Sequence, residues 1–200
     1  MGGLYQDRYN IESIRLRGWD YSSSGFYFVT ICTKDRIECL GEVLIDNDGI
    51  ASVVLSDIGN VVRDGLLNIP AIYANARLDE WIVMPNHIHV IFEITSSVRN
   101  ISSDGFVETP QWGVSTTKTG ERNPRHHPEW KPGVLGSIIN QFKGAVKKQC
   151  NEFNYDFHWQ SRFYDHIIRT EESLYKIRAY IKNNPRMWYR DRNNLEGLLM

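Results

Sequence analysis

The chain has 200 residues, of which 42% are hydrophobic and 24% charged, and its formal net charge is -1. These values are typical of an ordinary globular chain that is long enough for one well-buried domain. Because the net charge is close to zero, the sequence excludes a strongly basic protein, and any site for a polyanion requires a local group of Lys and Arg.

The first part of the chain is expected to form an arm followed by a strand. Residues 1–24 contain Arg15 and Arg17 among aromatic side chains and end in a Ser-rich break. This mixture suits an arm packed on the domain, and equally an arm that contacts the phosphates and bases of a single nucleic-acid strand. Residues 26–33 are rich in β-branched and aromatic side chains, which predicts a buried strand.

A second extended segment and a helix are predicted next. Residues 37–45 could form a strand that ends at the turn signal of residues 46–49. From residue 53 to residue 67, apolar side chains recur at spacings of three and four. This periodicity predicts an amphipathic helix with Ser52 or Ser56 as its N-cap.

Two histidines stand at the head of a predicted hairpin strand. Residues 76–84 favour one strand, residues 85–86 mark a turn, and residues 87–94 predict the partner strand. Because successive side chains of a strand point to opposite faces, His87 and His89 share one face while apolar residues fill the other. Two imidazoles held on one strand can bind a divalent ion and leave coordination positions open for a substrate. The same pattern is also that of a solvated sheet face.

Residues 95–131 differ in character from the rest of the chain. Ser, Thr, Gly, Asn, Arg and Pro dominate there, and the hydrophobic periodicity is lost. Structureless loops longer than ~12–15 residues are uncommon in compact domains, so we interpret this segment as a mobile polar insertion. The adjacent His126 and His127 are interpreted as solvated side chains rather than metal ligands.

The last third of the chain predicts helix, strand and helix. Residues 134–150 show an apolar stripe, with Lys143 and Lys147 on or beside the opposite face, where they are solvated or meet phosphates. Residues 157–168 predict a strand followed by a short connection. Residues 170–184 predict a helix, with Thr170 as N-cap and a stop at the following proline. The order β-α-β-β-α-β plus a carboxy-terminal helix predicts one α+β domain spanning residues 1–200. Its expected fold is the ferredoxin-like split βαβ arrangement, an antiparallel sheet with helices on one face.

The last helix presents two polar side chains that complete a candidate site. Tyr180 and Asn184 are four residues apart and therefore lie one turn apart on the same face. A tyrosine hydroxyl, with a pKa of about 10, is a weak nucleophile, but a divalent ion that polarises a phosphodiester oxygen makes attack on phosphorus feasible. The amide oxygen of Asn184 is a suitable third ligand for Mg²⁺ or Mn²⁺. Alternatively, Tyr180 packs its ring on the sheet and Asn184 only ends the helix before Pro185.

Motifs spread over almost the whole chain, apart from residues 95–131, resemble those of a known family. They are RLRGWDY at 15–21, GFYFVT at 25–30, MPNHIH at 84–89, FK at 142–143, RFYDH at 162–166 and YIKNNP at 180–185. Together they resemble the REP-associated tyrosine transposases within the single-tyrosine HUH transposase superfamily.

This resemblance implies a function and a set of site residues. The chain would be a metal-dependent endonuclease and strand transferase for single-stranded DNA, acting in DNA transposition. His87, His89 and Asn184 would hold Mg²⁺ or Mn²⁺. Tyr180 would be the nucleophile that becomes joined to the 5′ end of the cleaved strand.

The resemblance also implies the partners of the chain. The substrates would be hairpins formed by repeated palindromic elements, with Arg15 and Arg17 in a region that meets a flanking guide sequence. Lys143 and Lys147 are further candidates for DNA contact, and His166 is expected to support the site. We expect a monomer or homodimer in the cytoplasm, associated with the nucleoid.

Three other functions remain open for these residues. A rolling-circle initiator or relaxase uses the same chemistry but usually carries further domains or a second tyrosine, and Tyr175 lies well off the face of Tyr180. A metal hydrolase with a water nucleophile would be indifferent to loss of Tyr180. A domesticated, non-cleaving hairpin-binding protein would not need His87, His89, Tyr180 and Asn184 together.

Cysteine usage and hydropathy indicate the compartment. Cys32, Cys39 and Cys150 are odd in number and form no C-x-x-C pair, which argues against a disulfide scaffold or zinc knuckle and fits a reducing cytoplasm. We interpret them as buried small hydrophobic residues or inert thiols. Because there is no charged-then-apolar leader and no apolar run near the ~20 residues that span a bilayer, we expect a soluble intracellular protein.

Overall fold

The computed structural model describes residues 4–5, 9–10, 23–95 and 135–190. Its strands are β1 (Leu4–Tyr5), β2 (Tyr9–Asn10), β3 (Gly25–Cys32), β4 (Gly41–Ile45), β5 (Ala51–Leu55), β6 (Ala76–Met84), β7 (His87–Ile94) and β8 (Tyr164–Ile168). Its helices are α1 (Asp57–Leu67), α2 (Ile69–Ile72), α3 (Leu135–Glu152) and α4 (Glu171–Asn183), with 3-10 helices at Lys34–Arg36 and Pro185–Arg190. In these ranges no helix has the length and apolar character needed to cross a bilayer.

Most of the predicted arm, residues 1–24, and of the predicted insertion, residues 95–131, lies outside the described residues. Both therefore stay predictions.

The central sheet has four strands in the order β6-β7-β3-β8, and each neighbouring pair is antiparallel. Along the chain these strands and the main helices follow one another as β3-α1-β6-β7-α3-β8, which is the ferredoxin-like order. The predicted α+β fold with an antiparallel sheet is confirmed.

The two faces of this sheet carry separate hydrophobic clusters. On one face, side chains such as Val29 and Val90 pack with α1 and α3. On the other face, Phe28 and Ile91 pack with α4 through Leu174 and Ile181. The predicted helices therefore share one face, and the carboxy-terminal helix α4 covers the opposite one.

Strand β6 contains a β-bulge. Leu78 pairs with Phe92 and Trp81 pairs with Val90, so residues 79–80 stand opposite a single residue of β7. Both Leu78 and Trp81 pack on the α1 and α3 side, although residues three apart in a regular strand would point to opposite faces.

The predicted helix over residues 53–67 is wrong at its start. Residues 51–55 instead form β5, which pairs with β4 as a separate two-stranded sheet. Side chains alternate there between half-buried and exposed, and β-branched valines favour this arrangement. Helix α1 begins at Asp57, and Ser56 caps it by accepting a hydrogen bond from the N–H of Gly59 at 3.0 Å.

The order predicted for residues 157–168, a strand followed by a short connection, is wrong, because the connection comes first and the strand β8 comes last. Before it, the chain touches the sheet through one isolated bridge between Thr33 and Trp159. Phe157 is 1% exposed and belongs to the core below α3. Its apolar side chain therefore serves packing rather than strand pairing.

The three cysteines are free thiols; Cys32 and Cys39 are half-buried and Cys150 is buried. Burial, with a smaller effect of Cys150, raises the pKa of Cys39 to about 11. Burial also raises the pKa of Cys150. Because the thiolate is the reactive form, these two residues fit the predicted inert thiols.

Candidate active site

Strand β7 holds the two histidines side by side beneath α4. Nε2 of His87 lies 3.0 Å from Nε2 of His89, and the two side chains are 0% and 2% exposed. They share a face with Ile91, which packs on α4. The alternation expected from the sequence therefore places both imidazoles under the helix that carries Tyr180, rather than on a solvated face.

The hydrogen bonds around His87 determine which of its nitrogens carries the proton. Nδ2 of Asn86 donates to the backbone oxygen of Arg36 at 3.2 Å, which turns the amide oxygen of Asn86 towards Nδ1 of His87 at 2.9 Å. An amide oxygen only accepts, so Nδ1 of His87 must donate. The lone pair is then on Nε2, the nitrogen that faces His89, as a metal-ligating histidine requires.

The loop between β3 and β4, which contains Arg36 and so holds the Asn86 amide, has an unusual backbone. Asp35 and Arg36 have φ angles of 53° and 55°, in the left-handed region that non-glycine residues seldom adopt. The N–H of Thr33 donates to the oxygen of Asn86 at 2.9 Å and the N–H of Leu40 donates to the oxygen of Pro85 at 2.8 Å, so further hydrogen bonds join this loop to the turn before β7. It holds Asn86 in place at the cost of local strain.

His89 is oriented by the neighbouring strand β3. Oγ1 of Thr30 lies 2.9 Å from Nδ1 of His89, and the two residues are partners in the register of β3 and β7. This contact fixes the orientation of the His89 ring; a proton on Nδ1, donated to Thr30, would leave the lone pair of Nε2 for a metal ion.

Burial, together with the charge of Arg36, lowers the pKa of His87 to about 3. The imidazole is therefore neutral near pH 7, which is the form that binds a metal ion.

Helix α4 brings the tyrosine to this pair. The hydroxyl oxygen of Tyr180 lies 3.2 Å from Nε2 of His89, and its ring packs edge-on against Phe28 at 6.2 Å between centroids. The Tyr180 side chain is 44% exposed, so a large ligand can still reach the hydroxyl.

Beyond α4, the chain turns back over the histidines. Asn184, the C-cap of α4, is 1% exposed. Four residues later, the Trp188 indole stacks on the His87 ring at 6.0 Å with an interplanar angle of 24°, and it is 4% exposed. Trp188 therefore shields one side of His87 from water.

The spacing of the two imidazole nitrogens fits a divalent metal ion. Two ligands at right angles on an ion with bonds of about 2.1 Å lie about 3.0 Å apart, which matches the spacing of the two Nε2 atoms. Among the described residues, no group of three or more His, Cys, Asp and Glu could hold a metal. The spacing of the two imidazoles is thus the part of a metal site that the described residues set, and the buried amide of Asn184 stays the predicted third ligand, in a set that would leave coordination positions for substrate.

No protein-family model matches the chain. A Haemophilus influenzae protein described as uncharacterized is 36% identical over 185 residues, which make up 90% of this chain and 91% of that protein. The chain belongs to the same family as this protein.

Two solved structures are similar to the chain at lower identity. A REP-associated tyrosine transposase bound to a REP hairpin has 17% identity and a TM-score of 0.46, over 82% of this chain and 68% of that one. A Deinococcus radiodurans R1 protein with a provisional transposase description has 17% identity and a TM-score of 0.41, over 84% and 95% of the two chains.

The cations predicted to contact DNA lie in different surroundings. Arg15 and Arg17 are outside the described residues. Nζ of Lys143 donates to the backbone oxygen of Gln160 at 2.5 Å, and burial lowers the pKa of Lys143. Nζ of Lys147 lies 3.4 Å from Nε2 of His158. Lys143 therefore binds the segment that precedes β8. DNA contact by Lys143 and Lys147 stays a prediction.

Three residues around the site were missed in the sequence. Asn86 lies within the MPNHIH motif, where the sequence indicates only a turn. Thr30 is recognisable only once β3 and β7 are known to pair. Trp188 lies beyond the predicted helix stop at Pro185, where the chain instead continues as a 3-10 helix.

Proposed function

We propose that this chain is a tyrosine transposase that cuts and rejoins single-stranded DNA with the help of Mg²⁺ or Mn²⁺. The observation that carries the proposal is the contact between the hydroxyl of Tyr180 and the buried histidine pair, at 3.2 Å from His89. This contact brings a half-exposed hydroxyl to an imidazole of a buried pair, which is the arrangement that a nucleophile beside a metal site requires.

In the proposed reaction, the hydroxyl oxygen of Tyr180 attacks a phosphorus of the DNA backbone. A bond forms between that oxygen and phosphorus, and the bond from phosphorus to the 3′ oxygen breaks. The phenol gives up its proton, and the leaving 3′ oxygen takes one up. The product is a 5′-phosphotyrosine linkage and a free 3′ hydroxyl, and the reverse reaction joins strands without a high-energy cofactor.

The residues of the chain divide these tasks. His87, His89 and Asn184 would hold the divalent ion, which would polarise a phosphodiester oxygen and stabilise the charge that develops there. Asn86 and Thr30 orient the imidazoles. Trp188 and α4 exclude water from the histidine side, while the half-exposed Tyr180 remains open to a DNA strand.

The proposed substrates are single-stranded DNA hairpins formed by palindromic repeats, as the resemblance of the motifs implies. A cytoplasmic protein associated with the nucleoid would meet such DNA when it becomes single-stranded.

The direct test is a search for the covalent product. Purified protein is incubated with labelled single-stranded hairpins from the DNA flanking its own gene, with Mn²⁺ or with a chelator, and analysed on a denaturing gel. We expect a metal-dependent protein–DNA band that is lost in Tyr180→Phe and in His89→Ala. Tyr175→Phe is the matched control, because Tyr175 lies on the same helix and is 68% exposed.

Two outcomes would contradict the proposal. Nicking at the same site by Tyr180→Phe would show that the tyrosine is not the nucleophile and would favour a water-based metal hydrolase. Hairpin binding without an adduct, with either metal, would favour the non-cleaving hairpin-binding protein.

A further inference from the structure

The bulge in β6 places two consecutive acidic side chains on the same side of the sheet. Leu78 and Trp81 both face α1 and α3. The side chains of the two residues between them, Asp79 and Glu80, therefore lie on the face of the sheet that α4 covers. A regular strand would have sent one of these carboxylates into the core.

Each of these carboxylates meets a cation of α4. Nε of Arg178 donates to Oδ1 of Asp79 at 2.7 Å, and its terminal nitrogen donates to Oδ2. Nζ of Lys182 lies 3.1 Å from Oε2 of Glu80. Since Arg178 and Lys182 are one turn apart, the two pairs bind one flank of α4 to the bulge.

The two pairs differ in strength. The Asp79–Arg178 pair is a two-bond carboxylate–guanidinium contact, with side chains 20% and 31% exposed. Such geometry is stronger than a single-point contact. Lys182 is 65% exposed, so the second pair is more strongly screened by solvent.

Tyr180 lies on the opposite flank of α4. At 100° per residue, Arg178 and Lys182 fall on one side of the buried stripe of Leu174 and Ile181, and Tyr180 falls on the other. Only Leu174 and Ile181 are buried residues of α4. The half-buried Ile177 adds to this apolar contact, and ion pairs along one flank would oppose rolling of the helix about its axis.

A small roll would be enough to disturb the site. At a radius of about 6 Å, rotation by 10° moves a side-chain tip by about 1 Å. Misplacement by about 1 Å can slow a reaction about 100-fold.

We propose that Asp79 and Glu80, presented together by the bulge, are positioning residues that set the rotation of α4 and so hold the Tyr180 hydroxyl at the histidine pair. The catalytic part of this proposal rests on the proposed function, whereas the placement of the helix does not. The effect of Arg178 on Asp79 agrees with it, because the guanidinium hydrogen bonds lower the pKa of that carboxyl.

The test combines kinetics with a structural readout that needs no activity. The variants are Asp79→Asn, Arg178→Lys and the exchanged pair Asp79→Arg with Arg178→Asp. Glu172→Gln is the matched control, because it breaks the Glu172–Lys176 pair that lies wholly on α4. Each protein is assayed for the single-turnover rate of adduct formation and for hairpin affinity. The NMR signal of the Tyr180 ring in protein with ¹³C-labelled tyrosine is also recorded.

The Tyr180 ring signal is sensitive to the helix position because the ring packs against Phe28 and His89. We expect Asp79→Asn to shift this signal and to slow adduct formation at saturating DNA about 10- to 100-fold. Hairpin affinity should stay close to that of the parent, since no cation is lost. Arg178→Lys should show a smaller effect in the same direction, the exchanged pair should recover part of the rate, and Glu172→Gln should match the parent.

The outcomes separate the two proposals. If the parent forms no adduct but Asp79→Asn still moves the Tyr180 signal, the transposase function fails and the positioning role stands. If the parent is active while Asp79→Asn and Arg178→Lys keep its rate and its Tyr180 signal, the positioning role is overturned. Should Asp79→Asn not fold, as seen by circular dichroism, the comparison of Arg178→Lys with Glu172→Gln decides.

Discussion

The hydroxyl oxygen of Tyr180 lies 3.2 Å from Nε2 of His89 within the same chain. The tyrosine helix therefore packs over the histidines of its own subunit, a relationship that the sequence left open. The histidine pair and the candidate nucleophile are present together in one chain.

This arrangement predicts that two inactive variants cannot restore each other. A mixture of His89→Ala and Tyr180→Phe chains should form no protein–DNA adduct, because neither chain contains a complete site. The measurement is the denaturing-gel assay after mixing, with unfolding and refolding to allow subunit exchange. Recovery of the adduct in the mixture would show that α4 acts on a partner subunit.

Loss of the Asn86 side chain should weaken metal binding without removing a ligand. In Asn86→Ala, Nδ1 of His87 loses the acceptor at 2.9 Å, and removal of such an orienting partner typically costs about 10- to 100-fold in metal affinity. Titration calorimetry with Mn²⁺ measures this change. Asn86→Asp keeps an oxygen acceptor and should bind Mn²⁺ more tightly than Asn86→Ala. Equal Mn²⁺ affinities of the two variants would show that residue 86 does not orient His87.

Two glycines predict opposite effects of the same substitution. A Cβ on Gly59 would lie 1.9 Å from the backbone oxygen of Leu40, whereas one on Gly144 would meet nothing within 4 Å. Gly59→Ala should lower the free energy of unfolding by roughly 1–3 kcal/mol or more through overpacking, and it should disturb the loop joined to Pro85. Gly144→Ala, inside α3, should raise that free energy by about 0.5–1 kcal/mol. Urea unfolding of both variants checks the pair, and equal effects would contradict the close approach.

Acid should break the Asp79–Arg178 pair between the bulge and α4 when the pH falls below the pKa of Asp79. The Arg178 hydrogen bonds hold the pKa of Asp79 below its ordinary value of 3.8. A lowered carboxyl pKa means that this stabilisation is complete above the ordinary value and is lost as the pH falls through the lowered one. The pair should therefore stay intact from pH 8 to about 5. Because His87 has a pKa of about 3 and its neighbour His89 contacts Tyr180, the measurement is the difference in the Tyr180 ring signal between the parent and Asp79→Asn along the titration.

The surroundings of Asp79 supply the control for this titration. Besides Arg178, the charged groups at this contact are Glu80 and Lys182. Asp79→Asn should reduce the acid step in the Tyr180 signal by the part that comes from the Asp79–Arg178 pair, and a step of unchanged size in that variant would assign it to another group, such as His87.

Several elements could be predicted because their signals are local. Ser56 caps α1 and Thr170 caps α4 by accepting from backbone N–H groups in the next turn, and such contacts depend only on nearby residues. The helix predicted from residue 53 was wrong, because the valines of β5 also fit a strand and only pairing with β4 decides between the two. The bulge had a signal too: Leu78 and Trp81 are apolar at a spacing of three inside a strand.

The sequence by itself determined that His87 and His89 share a face and that Tyr180 and Asn184 share another, since strand and helix periodicities are properties of adjacent residues. Only the tertiary structure decided that these faces meet, that Asn86 and Thr30 orient the imidazoles, and that Trp188 covers His87. It also decided that Asp79 and Glu80 bind the helix of Tyr180. These contacts join residues up to 99 positions apart, and their geometry depends on strand pairing and register, which no local pattern encodes.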